Sequence, residues 1–235
     1  MTDERGQQLA AALAAVRERI ERAGAAAGRD PAGLTLVVVT KTFPADDVAR
    51  LADLGVTDVG ENRDQEAAAK AHALVDRGLR WHFVGQLQRN KARSVAGYAD
   101  VVHSLDRARL VAALDHGAEA AGRRIDVLVQ VDLDEAGPAA GRGGARPGEV
   151  PAIAAEVAAS SGLRLRGVMA VAPLDQDPAV AFARLRELSL ALRADHPAAG
   201  AISAGMSGDL EQAVAAGATH LRVGNAILGR RPPLQ

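Results

Sequence analysis

The sequence has no cysteine, which excludes both a disulfide framework and a thiolate metal site. It has no excess of either charge: 28 basic and 29 acidic residues leave a formal net charge of -1 and a pI near 6.6. A global basic surface for nucleic acid or membrane is therefore absent. No stretch approaches the roughly 20 apolar residues that a membrane helix needs. Asp, Glu, Arg and Gln are scattered through the first 22 residues, which rules against a signal peptide. A cytoplasmic protein with small, neutral partners is the expectation. The six histidines show no His-x-x-x-His spacing, so no metal is expected. Ser104 and Ser160-Ser161 lie outside any Gly-x-Ser-x-Gly context, and the glycines of 137–144 do not form a dinucleotide fingerprint between a strand and a helix. Lysine is scarce too, being found only at positions 41, 70 and 91.

What is present is alternation. Leu9, Leu13, Val16 and Ile20 recur at spacings of three and four and predict an amphipathic helix over 4–27, ended by Gly28 and Pro31. The run 34–40 is short, β-branched and almost continuously apolar, as a strand covered on both faces should be. A helix follows from Pro44 to about Leu54. Further strands are expected near 57–60, 81–84, 99–103, 125–131, 165–171, 200–203 and 219–223, each followed by a helical pattern. Eight such units with right-handed crossovers can close into an α/β (β/α)8 TIM barrel with an extra N-terminal helix; an open doubly wound sheet is the competing architecture. At 235 residues and 48% hydrophobic content, one domain over 1–235 suffices. The one long connection, 133–148, is rich in glycine and is expected to be mobile.

The binding face of such a barrel carries the C-terminal ends of the strands, and the unusual residues collect there. Lys41 follows the first strand, Glu61 and Asn62 the second, His82 and Gly85 flank the third, and Ser104 follows the fourth. Ser203 to Ser207 follow the seventh, and Gly224-Asn225 the eighth. A chain that otherwise chooses arginine keeps an amine at Lys41. Arginine cannot condense with an aldehyde, whereas a partly desolvated lysine can form a Schiff base; the plain alternative is a lysine reaching from a strand end to solvent. After the last two strands, Gly224 and Asn225, with Ser203, Gly205, Ser207 and Gly208, can offer backbone N–H groups and a hydroxyl to a phosphate. Ser207 or Asp209 can also cap the following helix. Arg89 and Lys91 begin another helix, more in the manner of a solvated face than of an anion site.

Taken in order, Val-Val-Thr-Lys41-Thr, Gly60-Glu-Asn62, Trp81-His-Phe-Val-Gly85 with Gln-Leu-Gln-Arg-Asn-Lys91, Gly205-Met-Ser-Gly-Asp209 and Arg222-Val-Gly-Asn225 resemble the pyridoxal phosphate homeostasis protein family, single-domain relatives of the alanine racemase barrel. The resemblance spans nearly the whole chain. It implies the alanine racemase N-terminal domain type of barrel and pyridoxal 5'-phosphate as cofactor. Lys41 would carry the Schiff base, Arg222 would face the pyridine nitrogen, and Asn62 would lie beside the ring. Gly224, Asn225 and a serine, either Ser203 or Ser207, would hold the phosphate; His82 and Met206 complete the expected set. It implies a carrier for intracellular cofactor homeostasis and delivery, not an enzyme with an established turnover, with apo-forms of pyridoxal phosphate enzymes as partners and a monomer as the working state. The rival is a weak amino-acid racemase. That rival needs an acid/base residue opposite Lys41, for which His82 is the one candidate, since Tyr98 is placed at the start of the fourth strand. A racemase draws such a residue from a second domain, for which too few residues follow Gly229. The sequence departs from the family in 132–144, where Arg142 stands nearest to the lysine that many relatives carry.

Overall fold

The structure, a computed structural model, describes residues 3–134 and 143–229. Eight parallel strands close into a barrel in chain order: β1 (Thr35–Val39), β2 (Asp58–Glu61), β3 (Arg80–Phe83), β4 (Val101–Leu105), β5 (Ile125–Gln130), β6 (Leu163–Met169), β7 (Ala201–Ser203) and β8 (His220–Val223). The open-sheet alternative is excluded by the seam, where β8 pairs with β1 from Thr35 opposite His220 to Val38 opposite Val223. Helices α1 (Glu4–Ala26), α2 (Ala45–Asp53), α3 (Asp64–Ala73), α4 (Ala92–Tyr98), α5 (Ala108–Ala120), α6 (Val150–Ala159), α7 (Pro178–Asp195), α8 (Leu210–Ala215) and α9 (Asn225–Leu228) surround it.

The extra helix α1 is amphipathic for a structural reason. Asp3 accepts a hydrogen bond from the Gly6 N–H at its start, and Leu9, Leu13, Val16 and Ile20 are buried against α2, α8 and α9. Arg5 reaches the Asp47 carboxylate and the Leu228 carbonyl, while Arg29 donates to the Val214 and Ala218 carbonyls. The helix thus covers the seam between the first and last strands.

Strand periodicity divides the core in two. Val38, Val59, Trp81, Phe83, Val102, Val127, Val129, Leu221 and Val223 pack outward beneath the helices in the main apolar cluster. The residues between them point into the barrel. There Val101, Leu128 and Met169 form a small separate cluster, and much of the remaining interior is polar: His82, His103, Ser203, Asp126 and Arg222 are all buried. At the N-terminal end Asp126 binds Arg80 and Arg164.

Three sequence expectations change. Tyr98 ends α4 rather than beginning β4, and Ser104 lies inside β4 rather than after it. Asp209 stands at the N-cap of α8 without capping it; its carboxylate instead accepts from the Met206 N–H at 2.6 Å, which holds the loop after β7 closed. The expected mobility of the glycine-rich connection, and the place of Arg142, concern 135–142 and lie outside the described residues.

Candidate functional site

The C-terminal ends of the strands surround a cavity of about 490 Å³. Lys41, Asn62, Met206, Ser207, Arg222, Gly224 and Asn225 all line it, joined by Val39, Phe43 and Gly208. The far wall was not expected from the sequence: Gln86, Gln130, Asp132, Asp134 and Gly143.

Lys41 is held by its backbone. The Phe43 N–H donates to the Thr40 carbonyl across a tight turn, and Thr42 takes φ 69°, a left-handed conformation that is costly for a β-branched residue. The Glu66 carboxylate accepts from the Thr42 N–H at 3.2 Å, which helps hold that conformation. Behind the turn, Lys70 donates to Glu61 Oε1 at 2.6 Å and to the Thr40 carbonyl at 3.0 Å, and the Thr40 hydroxyl donates to the same Glu61 oxygen. Burial pushes the Glu61 carboxyl up, against the pull of Lys70 and Thr40. The three lysines are thereby sorted: Lys70 lies in a buried ion pair, Lys91 stands 3.8 Å from Asp64, and Lys41 lines the cavity.

Arg222 forms the floor. Its guanidinium donates to Ser203 Oγ at 2.6 Å and to the Ala170 carbonyl at 2.9 Å. Burial pulls its pKa down to about 10, with the charge of Asp209 working the other way; at neutral pH it remains a cation.

Two expected site residues sit below this floor. Ser203 is fully buried, bonded to Arg222 and to His103 Nδ1, and does not line the cavity. Of the two serines proposed for an anion, Ser207 alone faces the cavity. His82 is corrected likewise: it is buried between Asp58 and His103, at 2.8 Å from each, and cannot reach a ligand above Arg222.

The interior histidines are held neutral. Burial lowers His82 despite Asp58, lowers His103 well below the usual imidazole range, and lowers His220 to about 4. A base depressed in the folded state takes up its proton first in the unfolded chain, so stability is complete above about pH 6.5 and falls as the pH drops below it. His220 alone contributes a loss of about 3 kcal/mol on reaching pH 4. Urea unfolding from pH 7 to 4.5 should show the midpoint falling steadily below pH 6.5; a flat profile would mean that the histidines are solvated.

The fold and the cavity define a class: a barrel with a lysine at the end of β1, an arginine at the end of β8 and a glycine-led turn beside it. The alanine racemase N-terminal domain family matches residues 11–232. The pyridoxal phosphate homeostasis protein of Mycobacterium tuberculosis is 46% identical, covering 97% of this chain and 95% of that protein. PipY of Synechococcus elongatus, solved with pyridoxal phosphate bound, superposes with a TM-score of 0.81 at 32% identity, over 94% of this chain and all of that one. Alanine racemase from Streptomyces coelicolor shares the fold, with a TM-score of 0.72 at 20% identity over 92% of this chain and 58% of that one. The chain belongs to the alanine racemase N-terminal domain family and, within it, to the pyridoxal phosphate homeostasis proteins.

The residues present fit that cofactor. Asn62 Oδ1 is buried without a hydrogen-bond partner in a residue that lines the cavity. The first N–H groups of α9 have no intrahelical acceptor. A Cβ on Gly224 would come within 2.9 Å of the Val39 carbonyl, so glycine lets β8 end close against β1 and leaves backbone open to a ligand.

Proposed function

We propose that this chain binds pyridoxal 5'-phosphate as a Schiff base on Lys41 and carries it within the cytoplasm to apo-forms of pyridoxal phosphate enzymes. Pyridoxal phosphate supplies an aldehyde that condenses with primary amines and a ring that withdraws electrons. In this reading Arg222 faces the pyridine nitrogen and Asn62 lies beside the ring. Ser207, Gly224 and Asn225 take the phosphate, with Met206 at the cavity edge. The observation that carries the reading is the convergence of Lys41 and Arg222 on one cavity, with Arg222 bonded to a hydroxyl and a carbonyl.

The same arrangement supports carriage over turnover. A fixed cation at the pyridine nitrogen disfavours its protonation and weakens the ring as an electron sink. His82, the acid/base candidate, is sequestered below Arg222. In this reading the working state is a monomer. Among the described residues no helix is long and apolar enough to cross a membrane, in keeping with a cytoplasmic carrier.

A weak racemase is the second reading, favoured by one observation: two acidic residues, Asp132 and Asp134, are among those that line the opposite wall. Deuterium uptake separates the two. The loaded protein, incubated with L-alanine in D2O, should incorporate no more deuterium at Cα than free pyridoxal phosphate does. Uptake that exceeds this and disappears in Asp132→Asn or Asp134→Asn would establish the racemase instead.

A further inference from the structure

Below the cavity floor, four hydrogen bonds cross the barrel interior in series. Arg222 Nη1 donates to Ser203 Oγ at 2.6 Å, Ser203 Oγ lies 2.9 Å from His103 Nδ1, His103 Nε2 lies 2.8 Å from His82 Nδ1, and His82 Nε2 lies 2.8 Å from Asp58 Oδ1. Ser203, His103 and His82 are all buried. The row begins at the cofactor side of the barrel and ends at the first residue of β2, on the opposite face.

The two ends determine everything between them. A guanidinium can only donate and a carboxylate can only accept. Burial works to raise the Asp58 carboxyl, but its bonds with His82 and Thr57 outweigh it and hold the group below the usual carboxylate range. With Asp58 accepting, His82 must carry its proton on Nε2, which leaves Nδ1 to accept. His103 must then donate from Nε2 and accept at Nδ1, and the Ser203 hydroxyl must donate to His103 while accepting from Arg222. With both imidazoles neutral, each link has one proton and one lone pair. A proton added to either ring would place a second cation near Arg222, and burial and the charge of Arg80 oppose it at both rings.

We propose that Ser203, His103, His82 and Asp58 form a positioning relay for Arg222. It fixes the orientation of the guanidinium, and so its hydrogen bond to the pyridine nitrogen, from the far end of the barrel. The proposal rests on the cofactor reading above. It makes Ser203 a residue that acts on the cofactor through Arg222, without touching the phosphate. The aligned dipoles of the row also join the buried cation to the carboxylate at the other face, which offsets the cost of burying a guanidinium without a carboxylate in hydrogen-bond contact.

Two measurements test it. In the wild-type protein without cofactor, long-range 15N–1H correlation at pH 7 should show His82 and His103 both as neutral Nε2–H tautomers; an Nδ1–H tautomer or an imidazolium at either position would overturn the relay. With pyridoxal phosphate labelled by 15N in the ring, Ser203→Ala and His103→Leu should shift the pyridine resonance by several ppm and speed cofactor release roughly tenfold, as the loss of one charge-assisted hydrogen bond would. Ser203→Thr, which keeps the hydroxyl, should retain the wild-type resonance. A pyridine resonance unchanged in Ser203→Ala that is folded and loaded would also overturn it. Should a variant fail to fold, the tautomers of the wild type still decide. Should the wild type fail to load, the cofactor reading falls, while the histidine tautomers still report on the arrangement of the row.

Discussion

Lys41→Ala is expected to lose the near-violet absorption band that pyridoxal phosphate raises in the wild type, and to weaken cofactor retention by about a hundredfold or more, roughly 3 kcal/mol or above. The reason is the sorting of the lysines. Lys70 is committed to Glu61 and the Thr40 carbonyl, and Lys91 stands beside Asp64, so neither can replace the amine in the cavity. The phosphate and ring contacts should survive in the variant, leaving weak, reversible binding without a covalent bond. Equilibrium dialysis with absorbance detection measures both quantities together. Equal bands in wild type and variant would show that Lys41 is an ordinary strand-end lysine.

Gly85→Ala should be the most disruptive single-methyl change near the cavity. A Cβ at this position would lie 2.1 Å from the Asn62 carbonyl oxygen and 2.7 Å from the Asn62 Cα. Both obstacles are backbone, so no rotamer change relieves the overlap. The ends of β2 and β3 must separate, straining the bond from the Val84 N–H to the Glu61 carbonyl at 2.8 Å and moving Asn62 out of the cavity wall. We expect a destabilisation of about 3 kcal/mol or more, at the upper end for overpacking, together with faster cofactor release. Urea denaturation of the apo-protein gives the first and dialysis the second. A variant within about 1 kcal/mol of wild type would mean that β2 and β3 do not approach so closely at their ends.

Much of this was legible in the residues. The β-branched runs and their spacing marked eight strands because a parallel barrel covers both faces of each strand, and Lys41 stood out because arginine occupies nearly every other basic position. What the sequence could not convey was depth. Alternation along β7 puts Ser203 inside the barrel, but whether an inward residue lines the mouth or the layer beneath depends on the stagger between strands. The register of Ser203 with His220, two residues before Arg222 on β8, places Ser203 one inward position below Arg222 and hence under its guanidinium. His82 is misleading for the same reason: it sits in β3 and faces inward, yet a layer too deep. His103 carries the same signal in the sequence, since it faces inward from β4 as His82 does from β3. Gln86, Asp132 and Asp134 carried none, because their positions follow from loops whose course no periodicity describes.

The central claim is that one lysine, in one cavity, holds the cofactor. Borohydride reduction of the protein saturated with pyridoxal phosphate, followed by peptide mass mapping, tests it most directly. The expected result is a single phosphopyridoxyl group on the peptide that contains Lys41. A group found instead on Lys70, on Lys91 or on the N-terminal amine, or no group at all, would contradict it.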